Sequence, residues 1–310
     1  MLAFIIPYRD RVNELNFFDN HMKNIVLKNM KENIDYVLYY IHQDDNRPFN
    51  RGAMKNIGFL IIKKKFPDTY KSMTIIFNDI DTLPKEKTRL NYETIKGNVK
   101  HFIGYNHTLG GIISINGEDF ETSKGFPNHW SWGLEDVVLY KRCKEFCNID
   151  RTSFTLLFFS QNAFIVSSIT NKKNFSKKEL ATRSNGDGDS FESIKNLEYN
   201  ENNNMINVTN FYTNYTPYND MLLRDYKSRG QIIDHYFENI NTDNGKNIIN
   251  SINLLEKNLS NDSSKNVSMT SNYKENPYIQ DYNKVEGKVL PQIKNNNNTH
   301  HGPFNFTYDN

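Results

Sequence analysis

Two acidic residues directly after an apolar run are the first candidates for chemistry in this 310-residue sequence. The Asp-x-Asp motif (Asp79-Ile80-Asp81) follows Met73–Phe77, which we predict to be a strand. Ligands in open α/β sheets bind beyond the carboxyl ends of strands, and strand alternation would place both carboxylates on one side. Their hard oxygens suit Mg²⁺ or Mn²⁺, which can bridge a nucleotide diphosphate. Acidic residues also commonly end strands and begin turns, and taken alone the motif favours that simpler interpretation.

A second candidate site combines both tryptophans of the chain with an acidic pair. The segment Gly125–Asp136 contains Trp130 and Trp132, followed by Glu135 and Asp136 at the start of a predicted helix. An indole ring can stack on a sugar, and a nearby carboxylate can accept a hydroxyl hydrogen or act as a general base. The alternative is that the tryptophans belong to the core and that the acids favour the positive end of the helix. That alternative accounts well for either half of the segment, but less well for both together.

Arginines occur in two segments beside predicted strands and helices. Arg9 and Arg11 follow the first apolar run, and Arg51 precedes a predicted helix. Loops that follow strands often bind phosphate, and the guanidinium fork matches phosphate oxygens. Any single one of these residues could equally be a surface arginine.

The elements that must position these residues alternate between strands and helices. Short apolar runs predict strands, and apolar residues at helical spacing predict the helices between them. The predicted strands are Leu2–Ile6, Tyr36–His42, Met73–Phe77 and Ile112–Ile115, and the predicted helices cover Leu15–Val26, Met54–Lys65 and Glu135–Phe146. This alternation favours an α/β fold with a sheet of largely parallel strands, built from βαβ units.

Four segments, in their order and spacing, resemble the β-1,4-galactosyltransferase family, also called glycosyltransferase family 7. They are Phe4–Arg11, Phe49–Phe59, Asn78–Asp81 and Gly110–Asp136, the last carrying Gly-Gly, Gly-Phe-Pro-Asn and Trp-Gly-x-Glu-Asp. The resemblance covers Met1–Arg142 well and Cys143–Phe211 faintly. It implies a GT-A fold, an α/β sandwich with a central mixed sheet, which transfers a sugar from a UDP donor with inversion.

The resemblance also implies a role for each matching residue. The donor would be bound by Pro7, Arg9, Arg11, Phe49, Arg51, Asp79, Asp81 and Trp132. Asp81 would bind the cofactor Mn²⁺ (or Mg²⁺), with Asp79 in support. Trp132, Glu135 and Asp136 would bind the acceptor, and Asp136 would be the catalytic base that deprotonates its attacking hydroxyl.

Three departures from the family pattern change what is expected of the site. Val137 and Val138 stand where further acids often follow the Glu-Asp pair, which removes hydrogen-bond partners for an acceptor. Thr108 lies two residues before Gly-Gly, where many members have an aromatic ring, so a donor bulkier than UDP-galactose could fit. The family's metal-binding His has no counterpart in Leu156–Asn174, so we expect a substitute ligand or weaker metal binding.

The composition changes along the chain and predicts three regions. Residues 1–211 form the GT-A-like domain, 212–240 a helical extension with a helix in Leu222–Phe237, and 241–310 a flexible low-complexity tail rich in Asn. The tail has too little apolar surface to offset the entropy lost on ordering. Only 37% of all residues are hydrophobic, as expected of a core diluted by polar segments.

Composition also excludes several classes of protein. The net charge of +2 gives no field that would attract nucleic acid or an anionic membrane. Cys143 and Cys147 are too few for a disulfide scaffold or a zinc cage, and we expect free thiols. No apolar run is long enough for a signal peptide or a membrane span. We therefore expect a soluble, cytoplasmic protein without an anchor.

The function expected from the sequence is an inverting, UDP-sugar-dependent glycosyltransferase that acts on a glycan or glycoconjugate hydroxyl. Galactose is the default sugar, with N-acetylgalactosamine or glucose as further options. One alternative is a polypeptide N-acetylgalactosaminyltransferase-like or other GT-A enzyme. The other is a sugar- or UDP-binding module without catalysis, which the missing His leaves open.

Overall fold

A computed structural model describes residues 1–30, 34–85, 88–156, 163–167, 170–176, 179, 189–217, 222–227 and 231–232. The flexible tail predicted for 241–310 lies outside these residues. All structural statements below refer to the described part of the chain.

The described residues form an α/β structure whose first half contains most of the helices. The helices are α1 (Val12–His21), continued by a π-helical segment (Met22–Val26), α2 (Arg51–Lys65), α3 (Gly117–Thr122), α4 (Glu135–Cys143) and a 3₁₀ turn (Phe191–Ser193). The strands are β1 (Leu2–Tyr8), β2 (Tyr36–Gln43), β3 (Thr74–Asn78), β4 (Thr82–Pro84), β5 (Asn98–Gly104), β6 (Ile112–Asn116), β7 (Asn148–Asp150), β8 (Thr155–Leu156), β9 (Ala163–Ser167), β10 (Thr170–Phe175), β11 (Lys195–Asn202), β12 (Met205–Tyr212), β13 (Leu222–Lys227) and β14 (Gln231–Ile232). The strands and helices predicted in the first 143 residues are all present, although α4 ends at Cys143 rather than Phe146.

The central sheet is mixed, and its parallel part lies in the middle. The strand order is β11-β12-β2-β1-β3-β6-β5-β7, with β8 pairing with β5. β1 runs parallel to β2 and β3, whereas β6 runs antiparallel to β3 and β5. The fold class predicted from the sequence, an α/β sandwich with a mixed sheet, is therefore confirmed.

Two apolar layers pack against the faces of this sheet because successive side chains of a strand point to opposite sides. On β1, Ile5 belongs to the core cluster that includes Ile57 of α2. Phe4 belongs to the cluster on the other side, together with Phe18 of α1. All four side chains are fully buried, so both faces of the sheet are covered. A binding site is therefore expected at the ends of the strands.

The carboxyl edge of the parallel strands brings several loops together. β1, β2 and β3 run in the same direction, so the loops that follow them leave at one edge. β6 runs the opposite way, with Ile112 opposite Asn78, and the Gly-Gly pair that precedes β6 therefore reaches the same edge. The amide of Asp79 donates to Gly111 O at 2.9 Å, which joins the two loops directly.

The helical extension predicted for 212–240 is wrong where the structure describes it. β13 pairs antiparallel with β10, and β14 pairs parallel with β9, which itself pairs with β4. Apolar residues such as Leu222 and Leu223 suit a strand as well as a helix, and pairing with a neighbouring strand decides between the two. The rest of the predicted helix lies outside the described residues.

None of the described helices has the length and apolar character that crossing a membrane requires.

Candidate functional site

The Asp-x-Asp motif lies in a tight turn rather than in a strand. β3 ends at Asn78, whose side-chain amide donates to the carbonyls of Asp79 and Thr82, each at 2.8 Å. The amide of Thr82 donates to Asp79 O at 3.0 Å and closes the turn. The expectation that strand alternation would place both carboxylates on one side therefore does not apply, because the strand ends before the motif begins.

The two acids of the motif have different partners. Asp79 Oδ2 accepts from Arg51 Nη1 at 2.6 Å, and Asp79 Oδ1 lies 3.2 Å from Lys55 Nζ. Asp81 Oδ2 accepts from Arg11 Nη1 at 2.8 Å. The Asp81 side chain is 22% exposed, twice the 11% of Asp79. Asp79 thus belongs to an internal ionic cluster, whereas Asp81 is the acid that solvent or a ligand reaches more easily.

Both cations of that cluster come from helix α2. Asn50 caps the helix by accepting from the amide of Ala53 at 2.9 Å, so α2 begins directly at Arg51. Residues four apart lie on one helix face, and Arg51 and Lys55 therefore project in the same direction. Like charges at this spacing repel each other, so the pair needs acids opposite it.

The acids come from the Asp-x-Asp motif and from the start of α4. Arg51 Nε donates to Glu135 Oε1 at 2.7 Å, and Arg51 Nη2 donates to Asp136 Oδ2 at 2.5 Å. Lys55 Nζ donates to Asp136 Oδ1 at 3.1 Å. We call the set Arg51, Lys55, Asp79, Glu135 and Asp136 the ionic cluster. It joins α2, the turn after β3 and the N-terminus of α4, elements that are far apart in sequence.

Burial and charge act against each other inside the ionic cluster. Burial works to raise the pKa of Asp79, but Arg51 and Lys55 outweigh it, so that pKa lies below its usual value. Burial raises the pKa of Asp136, and the negative charges of Glu135 and Asp79 add to this against the two cations. Burial opposes the charge on Arg51, yet the three carboxylates keep its pKa well above the usual value. Asp136 is thus the more basic carboxylate, a property that suits a general base.

The Gly-Gly pair allows close contact with Asp136. A Cβ atom on Gly110 would lie 2.3 Å from Asp136 Oδ2, and one on Gly111 would lie 2.1 Å from the carbonyl oxygen of Ile103. Gly111 also has a φ of +74°, which side chains rarely adopt. The amide of Leu109 donates to Asp136 O at 2.9 Å. A side chain at either position would collide with Asp136 or with Ile103, which explains why both residues are glycine.

The loop Gly125–Asn128 is fixed by buried amide side chains. Asn56 of α2 donates to Phe126 O at 2.7 Å and accepts from the Phe126 amide at 2.9 Å. Asn128 donates to Ser190 O at 2.8 Å and to Asp189 Oδ1 at 3.1 Å. All of these groups are buried, and leaving one unsatisfied costs about 1–3 kcal/mol. The loop is thereby held against the helix that carries Arg51 and Lys55.

Comparison with known proteins decides the family. A model of the N-terminal region of glycosyl transferase group 7 matches residues 1–93, and one of the N-terminal domain of galactosyltransferase matches residues 88–157. The chain belongs to glycosyltransferase group 7. The two matched ranges contain every residue that the sequence assigns to the donor, metal and acceptor sites.

Similar proteins from this group are galactosyltransferases. The chain is 29% identical over 179 residues to β-1,4-galactosyltransferase 4 of Cricetulus griseus, which covers 52% of this chain and 49% of the relative. It is 30% identical over 151 residues to the xylosylprotein 4-beta-galactosyltransferase of Caenorhabditis elegans, covering 46% and 49%. The chain therefore spans about half the length of the curated relatives it matches.

A solved structure of the same group shows the fold. It is a mutant of Drosophila β-1,4-galactosyltransferase 7 in complex with manganese, UDP-Gal and xylobiose. The TM-score is 0.51 with 22% sequence identity, over 67% of this chain and 93% of that chain. The described part of this group 7 chain thus has the GT-A fold.

The two tryptophans have different surroundings in this group 7 chain. Trp130 is buried, stacks on Phe211 with ring centroids 5.5 Å apart, and donates its indole N–H to Tyr215 O at 2.8 Å. Arg47 lies 4.9 Å above the Trp130 ring. Trp130 is therefore a core residue, as the alternative interpretation of the sequence held. Trp132 is only partly buried beside the acidic pair, and its contact with a sugar stays a prediction.

The other predicted donor residues lie around the same edge but make different contacts. Arg9 Nη2 donates to Asp45 O at 2.7 Å, and Arg9 Nη1 bonds to the carbonyl of Arg47, so Arg9 joins the ends of β1 and β2. Pro7 is buried in β1, and Phe49 packs on the core beside α2. Arg11 contacts the Asp-x-Asp motif, and Arg51 is the centre of the ionic cluster.

The acidic pair does not cap α4 with its side chains. The residue before the helix is Leu134, which has a φ of +69° and provides no side-chain cap. The Glu135 and Asp136 carboxylates instead bond to Arg51, and their side chains are 4% and 15% exposed. The capping interpretation therefore does not account for these side chains. The Glu135 carboxylate bonds to Arg51 and is almost fully buried, and its contact with an acceptor stays a prediction.

Two further predictions concern the donor sugar and the metal. Thr108 is buried in a turn, where its hydroxyl donates to Tyr105 O at 3.1 Å, two residues before the Gly-Gly pair. Among the described residues, no group of three or more His, Cys, Asp or Glu side chains has metal-binding geometry. The side chains of Leu156–Asn174, where the family's His has no counterpart, lie outside the described residues.

Several residues that build the site were not predicted from the sequence. Lys55 was detectable, because it is a charged residue between the apolar Met54 and Ile57 near the start of a predicted helix. Asn50 precedes a predicted helix and has the type of an N-cap residue. Glu179 accepts from the amides of Trp130 at 2.7 Å and Ser131 at 2.5 Å, and no local pattern marks it or Asp189. Cys143 and Cys147 are free, as predicted, and both are buried.

Proposed function

We propose that this chain is an inverting glycosyltransferase that transfers galactose from UDP-galactose to a sugar hydroxyl. The ionic cluster carries the proposal, because it holds the proposed base beside the Asp-x-Asp motif at the carboxyl edge of the sheet. Membership of glycosyltransferase group 7 and the similarity to galactosyltransferases support it.

Asp136 serves as the general base in this proposal. It accepts the proton of the acceptor hydroxyl while that oxygen forms its bond to the anomeric carbon and the bond to UDP breaks. Its side chain is 15% exposed against 4% for Glu135, so an acceptor reaches Asp136 more readily. Its raised pKa makes it a stronger base than an ordinary aspartate. Glu135 holds Arg51 and orients the acceptor side of the site.

Asp81 fits a divalent cation better than Asp79 does. Its carboxylate offers hard oxygens and is partly exposed, whereas both oxygens of Asp79 face Arg51 and Lys55. Sites that hold Mg²⁺ with one or two carboxylates and the substrate phosphates are common, and Mn²⁺ accepts similar ligands. When bound, the cation neutralises charge on the departing diphosphate. Arg11 and Arg51, next to Asp81 and Asp79, bind the phosphates.

A xylose-containing acceptor is the first one to test. The Caenorhabditis elegans relative is named a xylosylprotein galactosyltransferase, and the Drosophila structure contains xylobiose. Val137 and Val138 offer no hydrogen-bonding side chains after the acidic pair, so a small sugar acceptor suits this site better than one that needs more contacts.

Release of UDP tests the proposed function. The full chain is incubated with UDP-galactose, UDP-N-acetylgalactosamine or UDP-glucose, with Mn²⁺, Mg²⁺ or a chelator, and with simple xylosides and other sugars as acceptors. We expect acceptor-dependent UDP release that is fastest with UDP-galactose and is lost with the chelator. UDP binding without turnover on any acceptor would instead indicate a binding module. Because the sugar is α-linked to UDP in the donor, inversion gives a β-linked product, and an α-linked product would contradict the inverting mechanism.

A further inference from the structure

The amino group of Lys55 is enclosed by the site it serves. The residue is 1% exposed, and its ammonium ion lies 3.1 Å from Asp136 Oδ1 and 3.2 Å from Asp79 Oδ1. The ring of Phe126, in the loop Gly125–Asn128, lies 4.7 Å from the same nitrogen. An ammonium ion has three donors, and these neighbours occupy its surroundings. Lys55 therefore contacts the acids of the site but has no open path to a substrate.

Stability alone does not account for a lysine at this position. A buried ion pair contributes little or nothing more than apolar side chains of the same volume. Most of the other buried residues of α2, such as Met54, Ile57 and Ile61, are apolar, and the buried Asn56 beside Lys55 is uncharged and hydrogen-bonded. A charged residue among them is retained at a cost in desolvation, which points to a role for its charge at the two carboxylates it contacts.

Arg51 and Lys55 hold Asp136 in different ways. The Arg51 side chain is 21% exposed, and in the proposed function it also contacts the donor phosphates. Its hydrogen bonds are thus shared between the protein and the substrate. The contacts of Lys55 are entirely internal, so they persist whether or not a donor is bound.

We propose that Lys55 is a positioning residue, whose ammonium ion fixes the Asp136 carboxylate relative to the Asp-x-Asp motif. This inference rests on the proposed function, in which Asp136 is the general base. Lys55 acts through Asp136 and Asp79 and does not touch the reacting atoms. A displacement of about 1 Å in a reacting group can cost about 10²-fold in rate, so a fixed carboxylate matters for turnover.

The first test compares Lys55→Met with a matched variant of the same helix. Ile62 is buried, lies seven residues after Lys55 on the same face of α2, and belongs to the apolar core. We expect Lys55→Met to lower kcat per folded molecule by about 10- to 100-fold, with UDP affinity and donor KM within about threefold of the parent. Ile62→Ala lowers the melting temperature but leaves kcat per folded molecule near the parent value.

Two results overturn the proposal. The first is a kcat for Lys55→Met within about twofold of the parent value. A residue that positions the general base stabilises the transition state, so its loss must lower kcat. The second is a loss of UDP affinity that equals the loss in kcat/KM, since that would place Lys55 in donor binding. If Lys55→Met does not fold, Lys55→Gln takes its place, because it keeps N–H donors at this site without the charge. The same two results then apply to it.

Crystal structures of the parent and of the Lys55 variant provide a readout that does not require activity. We expect the Asp136 carboxylate to leave its place beside Asp79 in the variant and to keep it in Ile62→Ala. An unchanged carboxylate in the variant contradicts the inference even if turnover falls. If the parent itself shows no turnover with any donor, the proposed function fails, while the position of Asp136 still decides what Lys55 does.

Discussion

At the scale of single residues, Asp136 is the side chain on which the proposed chemistry depends most. A general base typically contributes about 10²–10⁴-fold to the rate. We therefore expect Asp136→Asn to lower kcat by about that factor while UDP affinity stays near the parent value. Single-turnover rates and UDP titration measure the two quantities on one preparation. A variant that only melts at a lower temperature, with normal turnover per folded molecule, would leave Asp136 with a structural role alone.

The same residue predicts how activity depends on pH. Asp136 must be ionised to accept a proton, and its pKa is raised by burial and by the charges of Glu135 and Asp79. Activity is therefore lost as the pH falls through a value above the ordinary aspartate pKa of about 3.9. Glu135→Gln removes one of the negative charges, so the acidic limb of the kcat profile should move to lower pH. An acidic limb that stays in place or moves to higher pH would contradict the assignment of this limb to Asp136.

The two acids of the Asp-x-Asp motif should respond differently to the same substitution. The Asp81 carboxylate accepts from Arg11 Nη1 at 2.8 Å and from the Thr82 hydroxyl at 3.2 Å, and it is partly exposed. Asp81→Asn keeps oxygen and nitrogen atoms for these contacts, so it should leave the melting temperature nearly unchanged while abolishing Mn²⁺-dependent UDP binding. Asp79→Asn removes the charge opposite Arg51 and Lys55, and removing one partner of a buried ion pair costs about 3–5 kcal/mol. Thermal unfolding and calorimetric titration with UDP, each with and without Mn²⁺, measure both effects. Equal changes in the two variants would contradict the division of roles.

At the scale of elements, the Gly-Gly pair before β6 controls how closely Asp136 approaches the sheet. Gly110→Ala would place a Cβ atom 2.3 Å from Asp136 Oδ2, so we expect the carboxylate to be displaced and kcat to fall. Gly97 offers a control, because it has a φ of +80° but no atom within 4 Å of an added Cβ. Gly97→Ala should therefore cost about 1 kcal/mol or more of stability from backbone strain without changing kcat per folded molecule.

A normal kcat in Gly110→Ala would show that Asp136 tolerates displacement. That result would argue against the general base and also against the need for Lys55 to hold it. A lower kcat in both glycine variants would instead indicate that destabilisation of either loop is enough to impair turnover.

The main strands and helices of the first half of the chain could be predicted because their local apolar patterns agree with their burial, although β4, β5 and α3 were not predicted. β1 and β3 are continuous apolar runs, and α2 repeats apolar residues at helical spacing, so local sequence and tertiary structure agree. The strand β11 was not predicted, since its sequence, Lys195–Asn202, is polar and lies at the edge of the sheet. Its partner strand, rather than its own composition, determines its structure.

The candidate site could be predicted in its residue types but not in its contacts. The acids and Arg51 were recognised from motif and spacing, whereas the ionic cluster depends on how α2 and α4 meet at the sheet edge. The expectation that Asp79 and Asp81 share a side applied strand alternation beyond the predicted strand, whereas the structure has a tight turn at this point. The residue types alone did not separate Trp130 from Trp132, whereas in the structure Trp130 is buried in the core and Trp132 is partly exposed.

At the scale of the whole molecule, the structure extends beyond the boundary predicted at Phe211. The indole N–H of Trp130 donates to Tyr215 O, and β13 and β14 pair with β10 and β9. Truncation after residue 211 would leave the buried indole without this acceptor and would remove both strands. An unsatisfied buried polar group costs about 1–3 kcal/mol, and the lost strand pairing adds to this.

We therefore predict that truncation after residue 211 lowers the melting temperature by about 4 °C or more, because each kcal/mol corresponds to about 2–4 °C in a domain of this size. Truncation after residue 240 is the matched control. It keeps Tyr215, β13 and β14 and removes only the Asn-rich residues 241–310, whose composition predicts little contribution to a core. Its melting temperature and its tryptophan fluorescence should match those of the full chain. If the chain that ends at residue 211 is as stable as the one that ends at 240, the strands after Tyr215 do not belong to the cooperative unit. The domain would then end where the sequence first suggested.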